Sequence, residues 1–298
     1  MSTLDEKPET EEVSPITTTT TTSPPDINSL NNLQVLPKIL HEGILFVASG
    51  PALLLQAAQP GLKNRLSQTT PINPNSNNPN NTLSNELTTT LHSTLSYIAV
   101  LVFGTPAQKQ ALIGRLRLSQ PPLPSPPSAP QATLWLLATI YATATDFYQR
   151  IYGTFDYRTS EKSYTEFSLL IHHLGPTILP PDFWPATRPD FWKYFDTQID
   201  TLSVSAEAHR FAHDLVSSSG KQGIRGIGYL RPVMRVVTIE MLPERIREAY
   251  GLRSTRGTRA GYKSAMVLLV ASWPAVPKGW RFRAVKVYLE EGRRGLDV

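Results

Sequence analysis

The stretch Gln131–Tyr152 constrains this chain most. It runs without glycine or proline and is apolar around most of its circumference. A helix formed there must be buried on nearly every side, so it needs other helices around it. Leu36–Ala58 carries Ile39, Leu40, Ile44, Leu45, Val47, Leu53, Leu54 and Leu55 at helical spacing. Gly50-Pro51 is expected to divide it into two helices, and Pro60-Gly61 to end the second. Leu87–Phe103 is a third, closed by Gly104. Thr105 then caps a helix that has Pro106 at its first position and runs through Leu118.

Further helices are expected over Thr159–Leu174 with Ser160 as cap, from Arg188-Pro189 through Ile199, and over Ser205–Ser217. Arg231–Glu291 reads as three helices broken near Pro243, Gly251 and Pro274–Pro277. No stretch alternates as a strand does. The fold class is therefore all-α, a single multi-helix domain.

Composition shifts set the expected boundaries. Residues 1–32 are a Thr/Pro-rich tail, including the run Thr17–Thr22, with too little apolar area to offset the entropy of ordering. Residues 33–298 form the helical domain, in which 69–85 (Asn- and Pro-rich) and 120–130 (repeated prolines) are flexible loops. Gly220–Gly228 is a basic turn without phosphate-loop spacing. The aromatic segment Phe183-Trp184, Phe191-Trp192, Tyr194 and Phe195 reads as core packing beneath a loop.

The chain has no cysteine, which excludes disulfides, thiolate-bound haem, iron–sulfur clusters and a cysteine nucleophile. Net charge is +5, with an acidic start and a basic C-terminal half that could meet an anionic membrane surface. No nucleic-acid-binding motif accompanies that charge. With no signal peptide and no apolar run near the roughly 20 residues of a membrane span, the expected setting is soluble and intracellular. Neither a GxSxG elbow nor a GxGxxG loop after a strand is present.

Of the six histidines, His209 and His213 stand four apart on one helix face, a spacing that can chelate a metal. His172 and His173 are adjacent and should point to different faces.

Five stretches in order carry a family resemblance. They are Gly50–Gly61, Leu91–Thr105 with Thr94, Tyr97 and Val102–Thr105, Trp135–Arg150, Leu179–Tyr194 with Pro180, Trp184 and Phe191, and Leu242–Leu252. Together they resemble the family that contains the fungal ER-bound oxygenase MpaB and the bacterial latex-clearing rubber oxygenase. The resemblance spans roughly residues 36–290 and implies an all-helical oxygenase with haem b that acts on a hydrophobic, isoprenoid-like substrate. Within the family's distal motif only Thr94 is kept, with Thr90 and Ser93 at the basic positions.

The chain departs from the family at its histidines. Gln59 stands where the resemblance places the histidine of a His-Pro pair, Gln120 where it places the proximal haem ligand, and Leu137 where it places another histidine. A carboxamide is a poor iron donor and an aliphatic side chain is none. If haem is kept, Tyr141 or His92 is the replacement ligand to test. The alternative is a divergent, non-catalytic descendant that holds no haem and binds an apolar ligand, a partner protein or an anionic membrane surface.

Overall fold

In this computed structural model the described residues are 27–60, 83–118, 129–174, 179–217 and 231–296. Among them are thirteen α-helices and no strand, as an all-α reading requires. They are α1 (Leu36–Leu40), α2 (Ser49–Ala57), α3 (Leu83–Phe103), α4 (Pro106–Leu118), α5 (Ala129–Tyr152), α6 (Tyr157–Leu174), α7 (Arg188–Thr201), α8 (Ala206–Val216), α9 (Arg231–Met241), α10 (Glu244–Ala249), α11 (Arg256–Ser272), α12 (Lys278–Arg281) and α13 (Arg283–Arg294). Most of the expected tail, the greater part of the 69–85 and 120–130 stretches and the Gly220–Gly228 turn lie outside the described residues.

One apolar core joins these helices. At its centre lies α2, every residue of which is buried, enclosed by α3, α5, α8 and α9. The long α5 packs along it, with Trp135, Leu137 and Ala138 fully buried. Two hydrogen bonds into α2 carbonyls fix it: Trp135 Nε1 donates to Leu55 O at 3.0 Å and Tyr250 Oη to Leu54 O at 2.7 Å. The C-terminal α13 packs against α3.

Gly50-Pro51 does not divide α2. The chain breaks earlier, at His41–Glu42, and continues as a 3-10 turn over Gly43–Ala48. Pro51 falls in the first turn of α2, where its missing N–H costs no helical bond. Gly50 serves packing instead: a Cβ there would lie 2.0 Å from Thr238 Oγ1 on α9.

Capping follows local chemistry. Gln108 N donates to Thr105 Oγ1 at 3.3 Å and Thr105 N to Gln108 Oε1 at 3.0 Å, which closes a capping box. Thr187 and Ser205 cap α7 and α8. On α6 the cap is Asp156, whose Oδ1 accepts from Thr159 N at 2.9 Å, while Ser160 sits inside the helix. Order starts before Leu33. Ile27–Asn31 forms a 3-10 turn with Leu30 buried, held by Lys109 Nζ, which donates to Leu30 O at 3.2 Å and Asn31 Oδ1 at 2.9 Å. Arg231–Glu291 holds more helices than expected, because the short α10 and α12 follow Pro243 and Pro277. No helix among the described residues is long and apolar enough to cross a membrane.

Candidate functional site

The centre of the fold is apolar with a few polar side chains set into it. Gln56, on α2, is buried. Its Nε2 donates to Thr139 Oγ1 on α5 at 2.8 Å, and Thr139 Oγ1 in turn donates to Leu136 O at 2.8 Å. The carbonyl Oε1 of Gln56 is buried and has no partner among the described residues. Three residues later Gln59 is also buried, and its Oε1 is likewise without a partner among the described residues. On α3, which packs on α2, the buried Thr94 donates its hydroxyl to Thr90 O at 2.8 Å. Thr90 Oγ1 itself is buried and unpartnered among the described residues. Unpartnered buried polar atoms are uncommon in folded proteins. Here Gln56 Oε1 and Thr90 Oγ1 come from two helices in mutual contact, and Gln59 Oε1 lies two residues past the end of α2.

Leu137 is 0% exposed, two residues before Thr139 on α5. Gln120 lies outside the described residues. The structure thus sets Gln59 just past the end of α2, Thr94 on α3 and Leu137 on α5, and α2 packs against both other helices. Gln56 and Thr139 complete the arrangement and were not singled out from the sequence. The available signal was Gln56 inside the apolar run Ala52–Ala58, whereas Thr139 is one of several threonines on α5 and does not stand out.

Tyr141 occupies an aromatic cluster. Its ring lies 5.0 Å from Phe167, 5.2 Å from Phe191 and 5.8 Å from Tyr164, and Trp184 packs on the same group. The aromatic segment is core at Trp184 and Phe191, while Phe183 is partly exposed. Burial raises the Tyr141 pKa, against a smaller opposing effect of the Ser163 hydroxyl. A phenolate is therefore disfavoured where a haem ligand would need one. His92 is half-buried and lies edge-on to Tyr288 at 5.3 Å. These donors do not fit a histidine-held haem. Gln59 offers a carboxamide and Leu137 an aliphatic side chain, the Tyr141 phenol is packed among rings, and His92 is set against Tyr288.

His209 and His213 are both exposed on α8. His213 Nδ1 lies 3.9 Å from Asp214 Oδ1. Among the described residues no cluster of three or more His, Asp or Glu side chains could hold a metal ion. His209 Nε2 would lie 3.3 Å from a Cβ at Gly251, whose φ of 65° favours glycine. Gly251 lines an open polar cleft of about 580 Å³ with Glu244, Arg247, Glu248, Arg253 and Arg259. His172 is exposed and His173 buried, so the adjacent pair does face opposite ways.

The family described as ER-bound oxygenase mpaB/B'/Rubber oxygenase, catalytic domain, matches residues 37–271. An uncharacterized protein of Mycobacterium bovis and one of Mycobacterium tuberculosis are each 24% identical to this chain over 134 residues. That stretch is 42% of this chain and 51% of each relative, so the match spans about half the length of those curated proteins. No solved structure matches.

Proposed function

The chain belongs to the family of ER-bound oxygenase and rubber oxygenase catalytic domains, and from that premise we propose that it is a non-catalytic descendant. In this reading it holds a hydrophobic, isoprenoid-like molecule bearing a hydroxyl group at the centre of its fold, without a histidine-held haem. The observation that carries the proposal is the set of buried, unpartnered atoms Gln56 Oε1, Gln59 Oε1 and Thr90 Oγ1. Two are carbonyl oxygens, which only accept hydrogen bonds, so they call for a donor such as an alcohol. The amide of Gln56 is already committed to Thr139, which fixes its carbonyl in one orientation. Buried apolar side chains of the same helices, such as Leu54 on α2 and Leu137 on α5, supply the rest of the affinity by excluding water.

Family membership favours a second reading, a haem b-dependent oxygenase acting on such a molecule. The donor set opposes it. Gln59 and Leu137 supply no imidazole, and no reaction step follows from the side chains at the described positions.

Farnesol, a prenyl alcohol, is the probe. Calorimetry with the full chain should show binding, with affinity roughly tenfold weaker for Gln59→Leu and for the hydrocarbon analogue that lacks the hydroxyl, the cost of one hydrogen bond. Equal affinity for alcohol and hydrocarbon, unchanged by Gln59→Leu, would count against these atoms as the recognition group.

A further inference from the structure

We propose that the outer face of α11, with the turn and helix α12 that follow it, is an interfacial docking surface for an anionic phospholipid bilayer. Helix α11 is apolar on two sides. Met266 and Leu269 face the core, where the helix packs on α9 and α5. On the other side Val267 is 70% and Leu268 64% exposed. With the exposed Ser264 and Ala271 they follow the i, i+3, i+4, i+7 spacing of a single helical stripe. The stripe continues past the helix end through the exposed Pro274, Ala275 and Pro277 to Trp280, which is 71% exposed. Four of the seven large hydrophobic side chains exposed among the described residues fall within Val267–Trp280, so the exposure is concentrated in one short piece of chain. A concentration of this kind on an otherwise polar surface marks an interaction site.

Charge identifies the partner. Between Glu248 and Glu290 the sequence contains no carboxylate, while Arg and Lys recur throughout. Arg281 is neutralised by Glu42 at 2.7 Å and Lys286 lies 3.7 Å from Glu290. Lys263, Lys278 and Arg283 are exposed and have no carboxylate partner among the described residues. Lys263 stands on α11 one turn before Val267, and Lys278 and Arg283 flank Trp280 in the sequence. Apolar side chains with an indole at their edge and unneutralised cations around them suit the boundary between acyl chains and anionic headgroups. A protein partner of ordinary composition would leave those cations without a matching field. The surface is independent of the ligand reading above, because none of its residues belongs to α2, α3 or α5.

The test is flotation of the full chain with phosphatidylcholine vesicles, with and without roughly one-third phosphatidylserine, at low and high salt. Binding is expected only to the phosphatidylserine vesicles, and it should weaken as salt screens the headgroups. Two double variants, Lys263→Glu/Lys278→Glu and Val267→Ser/Leu268→Ser, should each lower partitioning by roughly tenfold or more. All their positions are exposed, and circular dichroism checks that each variant keeps its helices. Tryptophan emission should shift to the blue on the vesicles, and Trp280→Phe should remove that shift. The proposal is overturned if the chain ignores phosphatidylserine vesicles at low salt, or if both double variants bind as the parent does. It is equally overturned if sedimentation shows self-association that Val267→Ser/Leu268→Ser abolishes, since the stripe would then be an interface between copies of this chain.

Discussion

The side-chain amide of Gln56 donates to the hydroxyl of Thr139 across 2.8 Å, tying the central helix α2 to α5. The bond orders a glutamine whose other polar atom is left unpartnered. Thr139→Val should cost roughly 1–3 kcal/mol, because it strands a buried amide. Replacing both residues, as Gln56→Leu/Thr139→Val, removes donor and acceptor together and should leave stability near that of the parent in urea titrations. If the double variant lost as much as the two singles summed, the pair would not be a coupled unit retained for binding.

The second prediction concerns the entry to the fold. Glu166, on α6, is buried, and its carboxylate accepts from Gln34 N at 2.8 Å, Val35 N at 2.9 Å and Leu36 N at 2.7 Å. These are the amides that open α1, which have no helical acceptor of their own. Glu166→Ala should destabilise by roughly 2–4 kcal/mol, and Glu166→Gln, which keeps one acceptor oxygen, by less. A change within error for Glu166→Ala in chemical denaturation would refute this cap.

Near the C-terminus, Glu42 accepts from Arg281 Nη1 at 2.7 Å and Trp273 Nε1 at 2.9 Å, and His41 stacks on Phe282 at 4.7 Å. Burial, chiefly, lowers the His41 pKa below its ordinary 6.5. Arg281 and Lys278 act the same way and Glu42 opposes them. With the folded value below the unfolded one, the unfolded chain binds the proton more readily. The stability involved is complete above about pH 6.5 and falls as pH drops through the interval beneath it. His41→Phe keeps a ring against Phe282 and removes the titration. Its melting temperature should therefore fall less steeply with mild acidification than the parent's, and parallel curves would contradict this.

The contact between α3 and α13 depends on Gly292, where a Cβ would come within 2.6 Å of Val100 Cγ2 and 3.0 Å of Ser96 O. The backbone oxygen cannot rotate away as a side-chain end can. Gly292→Ala should destabilise by roughly 1–3 kcal/mol through overpacking, despite alanine's better helix propensity. A stabilised variant in thermal melts would show that the helices can separate freely.

Helix positions were legible because apolar spacing is a local property. Central α5, the cap at Thr105 and the stop at Gly104 all follow from neighbouring residues. Gly50-Pro51 misled because the same pair can break a helix or start one, and the contact that decides it is Thr238 on α9. Ser160 lost to Asp156, four residues earlier, because α6 starts at Tyr157 and not at Thr159. The Gln56–Thr139 and Glu42–Arg281 pairs join residues far apart in sequence, so no periodicity reveals them. At the site, the sequence pointed to Gln59, Thr94 and Leu137. Only the structure showed the orphaned oxygens beside them.

The most direct test of the central claim is the visible absorption spectrum of the full chain expressed with haem precursor, with a pyridine haemochrome assay for stoichiometry. The account predicts a folded, helical protein without a Soret band. A Soret band at close to one haem per chain, lost on substitution of Tyr141 or His92, would contradict it and establish a haem protein with rearranged ligation.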